Sequence, residues 1–172
     1  MSASAFAFLC GIAYLGLGVA GMLPLFLAPP AIDVPETQFT FLYGFLFGLF
    51  PVNVVLTAIH MAVGAWGIAA GTAAASPERF SRVVAVFFGA LALMGVVPEF
   101  NTFFGFVPLY GHDVWLHGLT AAAAAWFGWR SARPAARDRR RALDRRQQRV
   151  AIHTERRQRI DDRRRGYEMN LA

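Results

Sequence analysis

Lysine is absent from this chain of 172 residues, and cysteine occurs once, at Cys10. A lone cysteine excludes an internal disulfide and any zinc site built on paired thiolates. Serine is scarce in the apolar body, and no Gly-x-Ser-x-Gly elbow, phosphate-cradling glycine loop or Cys-x-x-Cys pair occurs. Hydrolytic, nucleotide-dependent and thiol-redox catalysis therefore lack their usual machinery, and a non-enzymatic protein is expected. Positive charge is also missing from most of the chain. All 17 cationic side chains are Arg, and 15 of them lie between Arg130 and Arg165. Residues 1–129 hold only Arg79 and Arg82 against Asp33, Glu36, Glu78, Glu99 and Asp113, so the pI of 10.7 describes the tail rather than the body.

What the body does have is apolar surface. The chain is 56% hydrophobic and 14% aromatic, with a mean hydropathy of +0.40, too apolar for an ordinary soluble domain. Ala5–Leu27 runs 23 residues without a charge, enough to cross about 30 Å of hydrocarbon. It lacks a basic leader, a good cleavage site at Leu27-Ala28-Pro29-Pro30, and a lipoprotein box before Cys10, so it reads as an uncleaved first transmembrane helix. Gly11, Gly18 and Gly21 would allow close helix contact.

A proline-rich loop follows, then Phe39–Phe50, apolar and aromatic but at 12 residues too short to span, which reads as an interfacial or re-entrant segment. A second span is expected over 51–71, opened by Pro51 with Asn53 able to cap nearby amides. Ser76-Pro77-Glu78 signals a third helix over 80–97, with Ala85, Gly89 and Ala92 in a stripe and Pro98 as its stop. The fourth span is expected over 114–129, with Asp113 as its N-cap.

One stretch occurs twice. Phe47, Gly48, Pro51 and His60 match Phe104, Gly105, Pro108 and His117 at a constant offset of 57 residues. Small residues follow each His at the same helical spacing: Gly64, Gly67 and Gly71 in one copy, Ala121, Ala124 and Gly128 in the other. Gly21-Met22-Leu23-Pro24 resembles Gly95-Val96-Val97-Pro98 more faintly, at an offset of 74. The unit is thus two spans with a loop between them, and two such units run parallel about a pseudo-two-fold along the membrane normal. The expected fold is all-α: an integral membrane four-helix bundle, residues 1–129, with an Arg-rich helical or disordered tail, residues 130–172. Arg placement puts both termini on the cytoplasmic side.

His60 and His117 are the leading candidate site, because an ionisable side chain inside a membrane helix is costly unless used. The first reading is structural, each neutral His bonding across helices. The alternative is a cofactor, with two imidazoles as axial ligands of one haem or each holding a chlorophyll-type pigment. Proton, ion or small-molecule transport ranks third. Glu99, Asn101, His112 and Asp113 form a polar group on the loop side; a solvated loop with a helix cap is expected there, in preference to a metal site using Asp113 and His117. The tail mixes 15 Arg with six acids. Anionic lipid or an acidic protein surface suits it; nucleic acid fits less well, since aromatics are not interleaved with the Arg.

The paired Phe-Gly-x-x-Pro…His segments, Leu46–Asn53 with His60 and Phe104–Asp113 with Trp115 and His117, resemble a bacterial family known only as domain of unknown function 4383. The resemblance covers about Ala5–Gly128. It implies a small four-helix protein of the bacterial inner membrane and no assigned activity. Two positions depart from its pattern: Tyr110 stands where the second segment usually has Asn, and Val55 and Leu56 stand where the first often carries His-Asn. The resulting expectation is a structural or accessory subunit of a membrane assembly, in contact with the bilayer and with other membrane subunits.

Overall fold

A computed structural model of the chain describes residues 1–130, and expectations about the tail lie outside these residues. Four helices account for most of the structure: α1 (Ala3–Gly21), α2 (Val54–Gly71), α3 (Pro77–Val96) and α4 (His112–Arg130). The first three are long and apolar enough to cross a membrane. Helix α4 has 19 residues, but Asp113, His117 and Arg130 dilute its apolar character.

The helices pack as two hairpins, α1 against α2 and α3 against α4. Both long loops lie at one end of the bundle, where Gln38 N–H donates to the Gly105 carbonyl at 2.8 Å. Buried positions obey the two sequence offsets. Phe6, Ala7, Cys10, Gly11 and Tyr14 of α1 are buried, as are their counterparts Phe80, Ser81, Val84, Ala85 and Phe88 of α3. Leu56, His60, Gly64 and Gly67 of α2 pair in the same way with Asp113, His117, Ala121 and Ala124 of α4. The duplication is therefore a duplication of the core.

Local chemistry explains the helix ends and corrects several sequence expectations. The first helix stops at Gly21 rather than Leu27, because Pro24 cannot continue it; Pro24–Phe26 forms one 3-10 turn. Phe39–Phe50, expected as an interfacial or re-entrant segment, contains no helix. Its second half belongs to a small antiparallel sheet of β1 (Leu27–Ala28), β2 (Gly44–Leu46) and β3 (Phe50–Val52), in that order. Pro51 does not open the second helix. It lies in β3, an edge strand, where a missing N–H costs no ladder bond.

Asn53 is the N-cap of α2, its side chain accepting from Leu56 N–H at 3.0 Å. Ser76 caps α3, with Pro77 at the first helical position, so α3 begins three residues before the expected start. Helix α4 begins at His112, one residue before the expected Asp113 cap, and Asp113 lies inside its first turn.

Candidate functional site

The bundle core at mid-height is a layer with one aromatic ring from each helix. His60 and His117 face each other with their Nε2 atoms 3.4 Å apart, and both are essentially inaccessible to solvent. Phe88 stacks on His117 with ring centroids 4.8 Å apart and planes at 12°, and Tyr14 stacks on Phe88 at 4.7 Å. Tyr14 also meets His60 edge-on at 5.2 Å, which closes the layer. Offset aromatic contacts of this kind contribute about 0.5 to 1.5 kcal/mol beyond area burial. The Tyr14 hydroxyl is paired with Thr120 Oγ1 at 2.8 Å, tying α1 to α4.

Sequence reasoning singled out the histidines and missed Tyr14 and Phe88. The signal was present: Tyr14 and Phe88 are 74 residues apart, the offset already visible at Gly21-x-x-Pro24 and Gly95-x-x-Pro98. Extending that offset one helix face back from the proline finds both rings.

The small residues after each histidine act mainly within hairpins. A Cβ on Gly64 would lie 2.3 Å from Leu15 N, one on Gly67 2.7 Å from Gly11 Cα, and one on Gly71 2.4 Å from Phe8 Cβ. These positions hold the α1 and α2 backbones in contact. In the second hairpin Ala121 and Ala124 are buried, and a Cβ on Gly128 would stand 3.0 Å from Arg82. Arg82 itself donates from Nε to the Gly128 carbonyl at 2.9 Å.

Above the ring layer, the two Phe-Gly segments are tied together. Asn53, fully buried, donates from Nδ2 to the Phe106 carbonyl at 2.8 Å and to the Phe39 carbonyl at 3.2 Å while capping its own helix. Tyr110, which takes the place of Asn53 at the 57-residue offset, bonds the Tyr43 hydroxyl, which in turn donates to the Pro35 carbonyl at 3.1 Å. Burial, reinforced by the Tyr43 hydroxyl, pushes the Tyr110 phenol above its ordinary range. The Tyr110 phenol therefore stays neutral through neutral pH.

Phe47 and Phe104 both adopt positive φ, 54° and 58°, ahead of Gly48 and Gly105 at 73° and 88°. Pro51 and Pro108 are buried beneath these turns. Both phenylalanine rings remain exposed, as does Trp115, 70% accessible on the outer face of α4 and away from the histidine layer.

Asp113 departs from expectation. It is not a solvated cap: the residue is 0% accessible, and neither carboxylate oxygen has a hydrogen-bond partner among the described residues. The loop containing Val107, Pro108 and Leu109, all buried, accompanies it into the core. His112 instead remains exposed beside Phe50. No three His, Cys, Asp or Glu side chains converge as a metal site among the described residues, so Asp113, His117 and His112 are not gathered around one centre.

Fold and core together define a membrane protein built from a duplicated helical hairpin and closed by an internal histidine pair. The chain belongs to the family described as domain of unknown function DUF4383, whose model matches residues 4–130. No curated protein and no solved structure matches the chain.

Proposed function

We propose that this protein is a non-enzymatic, structural or accessory subunit of an assembly in the bacterial inner membrane, with both termini cytoplasmic. The observation that carries the reading is the Nε2-to-Nε2 contact of 3.4 Å between His60 and His117. Each histidine is used on the other, inside a layer filled by Tyr14 and Phe88, so the pair joins two hairpins instead of presenting a ligand to solvent. An apolar groove of about 470 Å³ between α3 and α4, lined by Gly89, Ala92, Val114, Trp115 and Gly118 among others, offers the small-residue surface on which a further membrane helix packs. The Arg-rich tail adds contact with anionic lipid or an acidic partner surface.

Purification of the full chain from its native membrane, with and without Gly118→Leu, tests this. A stoichiometric membrane subunit that is retained by the wild type and lost by the variant, while the bundle stays folded, supports the reading. Equal recovery from both, or no companion at all, overturns it.

A haem or chlorophyll-type pigment held by His60 and His117 is the alternative use of the same side chains. A metal between two imidazoles, with metal–nitrogen bonds of about 2 Å, would part the Nε2 atoms to about 4 Å, and a macrocycle would displace the Tyr14 and Phe88 rings. An absorption spectrum before and after dithionite decides it: a Soret band that shifts on reduction would replace the structural reading. Transport is the weakest use. On the far side of the ring layer the core closes over Ala70, Phe80 and Ala124, all 0% accessible.

A further inference from the structure

Five buried side-chain polar atoms lack a partner among the described residues: Thr57 Oγ1, His60 Nδ1, His117 Nδ1 and both carboxylate oxygens of Asp113. They are not scattered. Asp113 and His117 are four residues apart on α4, and Thr57 and His60 three apart on α2, so each pair shares a helix face.

A buried carboxylate needs a countercharge or a proton. Arg79, Arg82 and Arg130 sit at the start of α3 or the end of α4, at the opposite end of the bundle from Asp113. The N-terminus of α4 supplies a partial positive charge there.

The histidine pair has a matching requirement. In a neutral pair joined through Nε2, one ring donates from Nε2 and leaves its Nδ1 bare, while the other accepts at Nε2 and carries its hydrogen on Nδ1. One bare Nδ1 is therefore always available to take a proton. A carboxyl group on the same helix face as His117 can supply it.

We propose that the bundle core is a proton-binding site in which Asp113 and the His60–His117 pair share one proton. In the transfer, the O–H bond of the Asp113 carboxyl breaks and an N–H bond forms at His117 Nδ1. The products are a buried carboxylate and an imidazole–imidazolium pair, so the core gains no net charge. Neither Asp113 oxygen is hydrogen-bonded to His117 Nδ1, so the step would run through a bridging water.

The other titratable groups around this layer are Tyr14 and Cys10 from α1 and Tyr110 with Tyr43 from the loops; the buried face of α3 contributes none. The Tyr14 hydroxyl is engaged by Thr120 below the pair. The proton therefore enters from the loop end, past Asp113, and does not cross.

Full-length protein in nanodiscs, labelled with ¹⁵N-histidine, tests the proposal through two readouts on one sample: the infrared carboxylic acid band and the imidazolium nitrogen signals. Protonated Asp113 and imidazolium at His60 and His117, resolved from the signals of His112 and His153, should sum to about one proton per chain at neutral pH. His117→Gln should raise the carboxylic acid band about twofold or more, and Asp113→Asn should abolish the imidazolium signal of the His60–His117 pair. If the wild-type chain shows His60 and His117 only as neutral rings beside a full Asp113 carboxylic acid band, Asp113 holds the proton alone and the proposal fails. This wild-type spectrum decides the matter even if a variant does not fold. In proteoliposomes, proton flux no greater than that of empty vesicles is expected; flux above it would overturn the one-sided site.

Discussion

The two hairpins share a plan but solve it with different materials. In the first, the helix backbones touch: a Cβ on Gly11 would lie 2.4 Å from Ile68 N, and one on Gly18 2.5 Å from Met61 Cγ. In the second, Gly89 and Gly118 leave room, with the nearest neighbours of an added Cβ at 3.7 and 3.8 Å. The loops differ as well. The first hairpin carries a three-stranded sheet, whereas the second loop has only turns over the corresponding Phe-Gly segment. At equivalent places in the core stand Leu56 and Asp113, both 0% accessible. The first copy is thus close-packed and apolar. The second is looser where Gly89 and Gly118 face across α3 and α4, though tight at Gly95 and Gly128, and it keeps a buried acid. Duplication preserved the layer of rings and let stability and chemistry separate between the copies.

The sharpest way to break this contrast is to add one methyl group to each hairpin. Gly64→Ala places a Cβ against the Leu15 backbone at 2.3 Å, which only movement of a whole helix can relieve. A loss of about 3 kcal/mol is expected from overpacking of this kind. Gly118→Ala meets only the Ala92 Cβ at 3.8 Å and should stay within about 0.5 kcal/mol of wild type. Reversible unfolding in mild detergent, followed by circular dichroism, measures both. Equal losses would mean that the hairpins are packed alike.

The next test makes the second core resemble the first. Asp113→Leu removes two unpartnered oxygens and installs the residue found at the equivalent position 56. Because an unsatisfied buried polar group costs about 1 to 3 kcal/mol, the variant should be more stable by that order. The reciprocal Leu56→Asp should be less stable by at least as much. If Asp113→Leu destabilises instead, the carboxyl group contributes to folding, and the second hairpin is not the strained member of the pair.

A smaller effect is expected where the hairpins meet. His60→Leu or His117→Leu alone strands one imidazole, and the double variant should also unfold at a lower temperature than wild type. The double loss should fall short of the summed single losses by about 0.6 kcal/mol, the usual scale for a hydrogen bond between membrane helices. Strict additivity would show that the 3.4 Å contact contributes nothing beyond packing.

How much of this was legible beforehand depends on the range of the interactions. Helix faces and their duplication could be read because an α-helix writes its burial into spacing along one segment, as at His60, Gly64 and Gly67. Asn53 and Ser76 were readable as caps because a cap acts over three residues. The sheet was not. Its strands are two or three residues long, and β1 pairs with β2 across the Pro29–Gln38 loop, so no periodicity could accumulate. Asp113 was misread for the same reason. An acid at a helix start is ordinarily a solvated cap, and what buries it is a loop whose path is set by distant bonds, such as Asn53 to Phe106. Tyr14 and Phe88 stand between these cases: they were legible in principle through the 74-residue offset, but only once one knows that the offset marks a core layer.

The finest comparison concerns the one feature that the two copies share most closely, the turn after each exposed phenylalanine. Gly48 and Gly105 both hold positive φ, where a Cβ is disfavoured. Gly48→Ala meets no atom within 4 Å, so its cost is backbone strain alone, about 1 kcal/mol. Gly105→Ala carries the same strain and also brings a Cβ to 2.9 Å from the Gln38 Cγ, a flexible side chain that can withdraw. Withdrawal weakens the Gln38 Nε2 contact to the Phe104 carbonyl, an exposed bond of 3.3 Å. The second variant should therefore lose only a few tenths of a kcal/mol more than the first, within the usual range for a weak exposed hydrogen bond. Matched unfolding midpoints would show that the turns are equivalent and that the hairpins diverge only below them. A Gly105 variant that loses far more would place the contact between the two loops among the principal supports of the second hairpin, which has no sheet to hold it.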